Sequence, residues 1–156
     1  MNVVLVEPEI PQNTGNIGRL CVATGTPLHL VGKLGFKIDD KQLKRAGMDY
    51  WKYIDLRRHQ TFEEFLAQCP ESASLYFFTT KADRLYTEVS YKRGDFIVFG
   101  SETKGLSSEL RNNHPECIFK IPMVGETRSL NLANSVSIVL YEALRQTNFF
   151  SCPPSP

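Results

Sequence analysis

Largely apolar runs along this chain alternate with stretches in which apolar residues recur at helical spacing. Val3-Val4-Leu5-Val6, Leu28–Val31, residues 75–79, Phe96–Phe99 and residues 118–121 are the short runs. Apolar residues at consecutive positions suit strands that are covered on both faces. Helical spacing falls at residues 15–24, 61–69, 107–113 and 131–145. The alternation predicts a single-domain α/β fold: one mostly parallel sheet of five or six strands, with helices on both faces. Thr61-Phe62-Glu63-Glu64 reads as a capping box, in which the Thr61 hydroxyl and the Glu64 carboxylate satisfy each other's free backbone donors. In the last helix Leu132, Val136, Val139 and Ala143 form one stripe, and Ile138, Leu140 and Leu144 widen it. A stripe this wide means either deep burial within the chain or a partner subunit.

Length places the chain in one domain, residues 1–150, followed by a Pro-rich stretch at 151–156 expected to be a disordered tail. With 42% hydrophobic and 22% charged residues the chain has ample material for a core, which excludes a disordered protein. No run approaches the ~18 apolar residues of a membrane span, and Met1 leads into a strand rather than a signal segment. Cys21, Cys69, Cys117 and Cys152 are scattered without a C-x-x-C pair. They fit reduced thiols in a cytoplasmic protein better than disulfides or a zinc site. His29, His59 and His114 add no metal-ligand spacing, so no metal is expected.

The net charge of +1 conceals an uneven distribution. Residues 33–59 carry eight Lys or Arg against four Asp, among them Lys41, Lys44 and Arg45, and surround Tyr50, Trp51 and Tyr53. Such a segment is either a surface that holds phosphates and stacks bases, or a solvated face whose aromatics turn into the core.

Three loops, each after a predicted strand, carry candidate chemistry. Residues 7–19 lead from the first strand into a helix, with Asn13 or Thr14 placed to cap it and Arg19 about one turn in. Gly15-Asn16-Ile17-Gly18 lacks the full dinucleotide fingerprint, which argues against a Rossmann-type enzyme. Residues 99–107 resemble a P-loop, but Leu106 stands where the lysine must be, so nucleotide hydrolysis is excluded. What is left is a glycine-flanked turn with Glu102 as an acceptor, and Ser101 is not in a nucleophile elbow. In residues 121–131, Ser129 and Asn131 sit where helix caps belong. Three such loops after buried strands can converge at one sheet edge on a small-ligand site.

Asn13-x-Gly15-Asn16-x-x-Arg19, Gly100-Ser101-Glu102-x-x-Gly105, and Ile121-Pro122-Met123 with Ser129-Leu130-Asn131-Leu132-Ala133-Asn134 resemble, in order and spacing, the three motifs of the SPOUT RNA methyltransferases. The likeness spans essentially the whole chain and is closest to the minimal YibK-type members, which methylate the 2′-hydroxyl of a cytidine or uridine at the tRNA wobble position. It implies a deep trefoil knot near the C-terminus, an exception to the rule that chains do not thread their own loops. It also implies a homodimer and S-adenosylmethionine as methyl donor, leaving S-adenosylhomocysteine. By the same resemblance Phe78, Thr79, Gly100, Glu102, Ile121, Met123, Ser129 and Leu130 line the cofactor pocket. Asn13, Arg19, Glu102, Ser129 and Asn131 match functional motif positions, and Tyr141 matches an important tyrosine of the last helix. The basic segment, with Lys41, Lys44 and Arg45, becomes the expected tRNA surface, and the wide last helix the expected dimer face. The alternatives are a catalytically silent RNA-binding or assembly protein on the same scaffold, and methylation of another RNA ribose.

Overall fold

The computed structural model describes residues 1–38 and 50–148. Its strands are β1 (Asn2–Val6), β2 (Leu28–Val31), β3 (Leu56–His59), β4 (Leu75–Phe78), β5 (Phe96–Phe99) and β6 (Ile118–Phe119). They form one six-stranded sheet in the order β3-β2-β1-β5-β4-β6, and every pairing is parallel. The helices are α1 (Pro11–Thr24), α2 (Phe62–Ala67), α3 (Ser108–Asn113) and α4 (Leu132–Gln146), with three short 3₁₀ turns between them.

Both faces of the sheet are apolar because successive side chains point to opposite sides. Val3, Leu5, Leu28, Leu30, Ile97 and Phe99 pack with Ile17 of α1 and Val136, Val139 and Leu140 of α4. Val4, Val31, Phe77, Phe96 and Val98 pack on the other side with Phe62 and Phe65 of α2 and Leu110 of α3. The α/β architecture is therefore as the hydrophobic pattern predicts. β3 is not predicted by it, since Leu-Arg-Arg-His has no apolar run. As an edge strand with Arg57 and Arg58 exposed, β3 leaves one side to solvent.

The helix starts differ in instructive ways. Expected at Gly15 with Asn13 or Thr14 as cap, α1 instead begins at Pro11 and its Ile10 N-cap has no side-chain cap bond. Pro is suited to that first position because it lacks an N–H. Asn13 and Thr14 are inside the helix and buried. At α2 the Thr61 hydroxyl accepts from Glu64 N–H at 3.2 Å, as expected, but the Glu64 carboxylate accepts from Gln60 N–H at 2.6 Å, one residue before the predicted donor. Asn131 caps α4, accepting from the N–H groups of Ala133 and Asn134, and Ser129 is not its cap.

Burial within the chain accounts for Leu140, while Ile138 and Tyr141 on the same helix remain 36% and 50% exposed. Cys21, Cys69 and Cys117 are free thiols, and burial pushes that of Cys21 up to about 12, which keeps it unreactive. Among the described residues no helix is long and apolar enough to cross a membrane, and no group of three metal-ligating side chains occurs. Cys152, the expected tail and residues 39–49, which include Lys41, Lys44 and Arg45, lie outside the described residues.

Candidate functional site

β1 and β5 are neighbours, yet α1 crosses one face of the sheet and α3 the other. Loops leaving adjacent strands toward opposite faces open a crevice at the carboxyl end of the sheet. The crevice here is a cavity of about 550 Å³, within the usual range for a small-molecule site, roughly 300–1,000 Å³. Its walls come from the ends of β4 and β5, the loop after β6 and the start of α4, with Ile10 just before α1 and Asn13 in its first turn closing one side. Phe78, Thr79, Gly100, Glu102, Ile121, Met123, Ser129 and Leu130 all line it, as do Asn13 and Asn131.

The middle loop owes its shape to Gly100. A Cβ there would stand 2.1 Å from the carbonyl carbon of Gly105 and 2.2 Å from the nitrogen of Leu106, both backbone atoms. The turn folds straight back on itself, closed by Gly105 N–H donating to Ser101 O at 2.8 Å, with Gly105 in the left-handed region at φ +66°. Leu106, the residue that broke the P-loop pattern, is a core residue at 3% exposure.

Side chains tie the three loops together in one directed chain of hydrogen bonds. The Ala133 and Asn134 N–H groups at the start of α4 donate to Asn131 Oδ1 at 2.9 and 3.3 Å. Asn131 Nδ2 then donates to Asn13 Oδ1 at 2.9 Å, and Asn13 Nδ2 to Glu102 Oε1 at 3.0 Å. Glu102 also accepts from the backbone N–H groups of Glu9 at 2.7 Å and Ile10 at 3.1 Å. A carboxylate some ninety residues away thus holds the two backbone N–H groups just before α1, and Asn13 does not cap the helix. Both amide orientations follow from the donors and acceptors at each end. The chain runs from the positive end of α4 to the negative charge of Glu102, a favourable direction.

Arg19 and Tyr141 are not among the residues lining the cavity. Arg19 is exposed on α1, its guanidinium carbon 5.1 Å from the centre of the Tyr50 ring. Next to it Gly18 admits Ile54 and Trp51, since a Cβ there would meet Ile54 Cδ1 at 2.6 Å. Of the aromatics in the basic segment, Trp51 is half-buried against α1, whereas Tyr50 and Tyr53 are 40% and 66% exposed. Lys52 lies over the Tyr53 ring, and Arg57 is paired with Asp55 at 2.9 Å. Ile10, Lys81, Thr103, Lys104 and Arg128 also line the cavity without having been singled out from the sequence. Ile10, Thr103, Lys104 and Arg128 lie inside loops already flagged, so membership of the loop was the available signal. Lys81 carried none.

The SpoU rRNA Methylase family model matches residues 1–141. A tRNA (cytidine(34)-2′-O)-methyltransferase of Burkholderia cenocepacia is 47% identical over 150 residues, covering 95% of this chain and 96% of the relative. A solved structure described as giving insight into 2-OH methylation of C/U34 on tRNA superposes with a TM-score of 0.89 at 45% identity, covering 93% of this chain and 94% of that one. The SpoU methyltransferase AviRb of Streptomyces viridochromogenes, solved in complex with AdoMet, has a TM-score of 0.81 at 26% identity and covers 94% of this chain and 60% of its own.

Proposed function

This chain belongs to the SpoU rRNA Methylase family, and we propose that it is a tRNA methyltransferase acting on the 2′-hydroxyl of a cytidine or uridine at the wobble position, with S-adenosylmethionine as donor. The observation that carries this is the convergence of three separated loops on one cavity of about 550 Å³. The residue types fit the donor: Phe78, Ile121, Met123 and Leu130 supply apolar surface for a base and ribose, with Asn13, Asn131 and Glu102 as polar groups. When bound, S-adenosylmethionine supplies a methyl group on a sulfonium, open to in-line displacement.

Displacement requires the ribose oxygen and the methyl carbon to be held close and in line. The part of the chain's own residues is to hold the three loops in register, through Asn131, Asn13 and Glu102. Three donors already occupy Glu102, so we assign it to positioning and leave the hydroxyl proton to a substrate phosphate or water. A guanidinium makes a poor general base, so Arg19 is not assigned that part. Beside Tyr50 and outside the cavity, it suits an RNA phosphate or the developing alkoxide. Ser129 and Leu130 belong to the cofactor wall, and Tyr141, on the exposed side of α4 with Ile138, to the contact with a second copy. RNA affinity rests largely on phosphate contacts, and a homodimer doubles the basic segment that contains Lys41, Lys44 and Arg45. A deep trefoil knot at the C-terminus and a place in the cytoplasm belong to the same proposal.

The decisive test is methyl transfer to tRNA lacking the modification, with the product nucleotide mapped. A 2′-O-methyl group at the wobble nucleotide is expected. Transfer to another ribose, or donor binding without transfer, would replace this function with one of its two alternatives. Reversing the charge at Lys41, Lys44 and Arg45 should weaken tRNA binding and spare donor binding, and unchanged tRNA affinity would remove the patch from the proposal.

A further inference from the structure

The loops after β1 and β5 exchange carboxylates. Glu102, from the second, accepts from the N–H groups of Glu9 and Ile10 in the first, at 2.7 and 3.1 Å. Glu9 in return accepts, on Oε2, from the backbone N–H of Thr103 at 3.1 Å and from its hydroxyl at 2.6 Å. Those bonds hold the Glu9 carboxyl below its ordinary range, and among the described residues neither carboxylate is in an ion pair. Thr103 and Glu102 line the cavity, whereas Glu9 does not.

Contacts inside the turn at 100–105 set its shape: Gly105 N–H to Ser101 O at 2.8 Å, and Lys104 N–H to Ser101 Oγ at 3.3 Å. They do not set where the turn stands relative to the cavity. That depends on bonds reaching out of it, and Glu9 takes two of them. The Glu9 backbone is itself held from behind. Gly35 N–H donates to Pro8 O at 2.9 Å, and a Cβ at Gly35 would stand 2.8 Å from Glu9 Cα. Glu9 is therefore a short arm from a fixed backbone to an exposed turn.

We propose that Glu9 is a positioning residue for the cofactor site: through Thr103 it sets where the turn at 100–105 stands over the cavity, and so sets affinity for the methyl donor without touching it. The assignment rests on the cavity being the S-adenosylmethionine site. Two charge-assisted bonds at a solvent-facing turn are expected to be worth about a factor of ten in binding.

The test is calorimetric titration of S-adenosylmethionine into the wild-type chain and into Glu9→Ala, Glu9→Gln, Thr103→Val and the Glu9→Ala/Thr103→Val double variant. Melting temperatures and tRNA methylation at saturating donor are measured alongside. Glu9→Ala should bind the donor about tenfold more weakly and raise KM for it by the same factor, with kcat little changed. Glu9→Gln should recover most of the loss, because one amide oxygen can accept from both Thr103 donors. Thr103→Val, which keeps the N–H, should lose about threefold, and the double variant should be no worse than Glu9→Ala alone. Wild-type affinity in Glu9→Ala, no recovery in Glu9→Gln, or strictly multiplying losses in the double variant would each overturn the assignment. If Glu9→Ala does not fold, Thr103→Val decides: a threefold loss supports the assignment and none overturns it. A wild-type chain that fails to bind the donor is a different failure, that of the proposed function itself.

Discussion

Replacing Glu102 by Gln separates a residue that positions the site from one that removes a proton. The carboxylate accepts on both oxygens: Oε2 from Glu9 N–H at 2.7 Å, and Oε1 from Ile10 N–H at 3.1 Å and Asn13 Nδ2 at 3.0 Å. An amide has one oxygen and one NH₂, so one side must face donor against donor. Asn13 is only 6% exposed, whereas the loop backbone at Glu9 is nearer solvent, so the amide oxygen is expected to stay with Asn13 and Ile10. The Glu9 N–H then loses the shortest bond of the set. A hydrogen bond to a charged group contributes about 1.5–3 kcal/mol; Glu102 is half-buried, and water recovers part of this, leaving about 2 kcal/mol. That corresponds to roughly a thirtyfold rise in the dissociation constant for S-adenosylmethionine, read by calorimetry. Single-turnover methyl transfer at saturating donor should stay within a few fold of wild type. Unchanged donor affinity with transfer abolished would refute the positioning role and make Glu102 the proton acceptor.

Acid should loosen the protein through His29. Its Nδ1 lies 3.1 Å from His59 Nε2, between the rings of Phe65 and Phe96, and burial pushes its pKa down to about 4. Because the folded value lies below the unfolded one of about 6.5, the unfolded chain holds more protons between them, and stability falls as pH drops through that window. About 2 kcal/mol should be lost between pH 7 and pH 5; urea melts that do not change, or that change equally in His29→Leu, would contradict this. Gly100→Ala puts a methyl group 2.1 Å from a backbone carbon, so the turn must open and donor binding should fall below detection in calorimetry, with normal binding counting against the turn's role. Ile138→Asp should convert a two-chain mass to a one-chain mass in light scattering, since Ile138 and Tyr141 stay exposed on α4; a wild-type chain of single mass would rule out the α4 dimer.

Local pattern was enough for the sheet because a strand buried on both faces must be apolar at consecutive positions, and four of the six strands announce themselves that way within a residue. β6 is only half as long as its apolar run, since residues 120 and 121 leave the sheet for the loop. β3 is silent, because an edge strand need satisfy only one neighbour and tolerates Arg57 and Arg58. The cap of α4 was legible in Asn131, whose donors lie two and three residues on. The entry to α1 was not. Its N-cap Ile10 makes no side-chain cap bond, and the N–H groups of Glu9 and Ile10 just before the helix donate to Glu102, which nothing near Pro11 in the chain encodes.

Sequence by itself therefore determined the strand–helix alternation and, through its motifs, which residues would gather at the cavity. Only the tertiary structure decided the start of α1, the wiring of Asn131 to Asn13 to Glu102, the arm from Glu9, and the standing of Arg19 outside the cavity. The division is physical. Burial and short-range caps depend on neighbours within a turn or two, which are written side by side in the chain. A hydrogen bond between loops depends on where the sheet brings distant strands together, and that exists only once the sheet has formed.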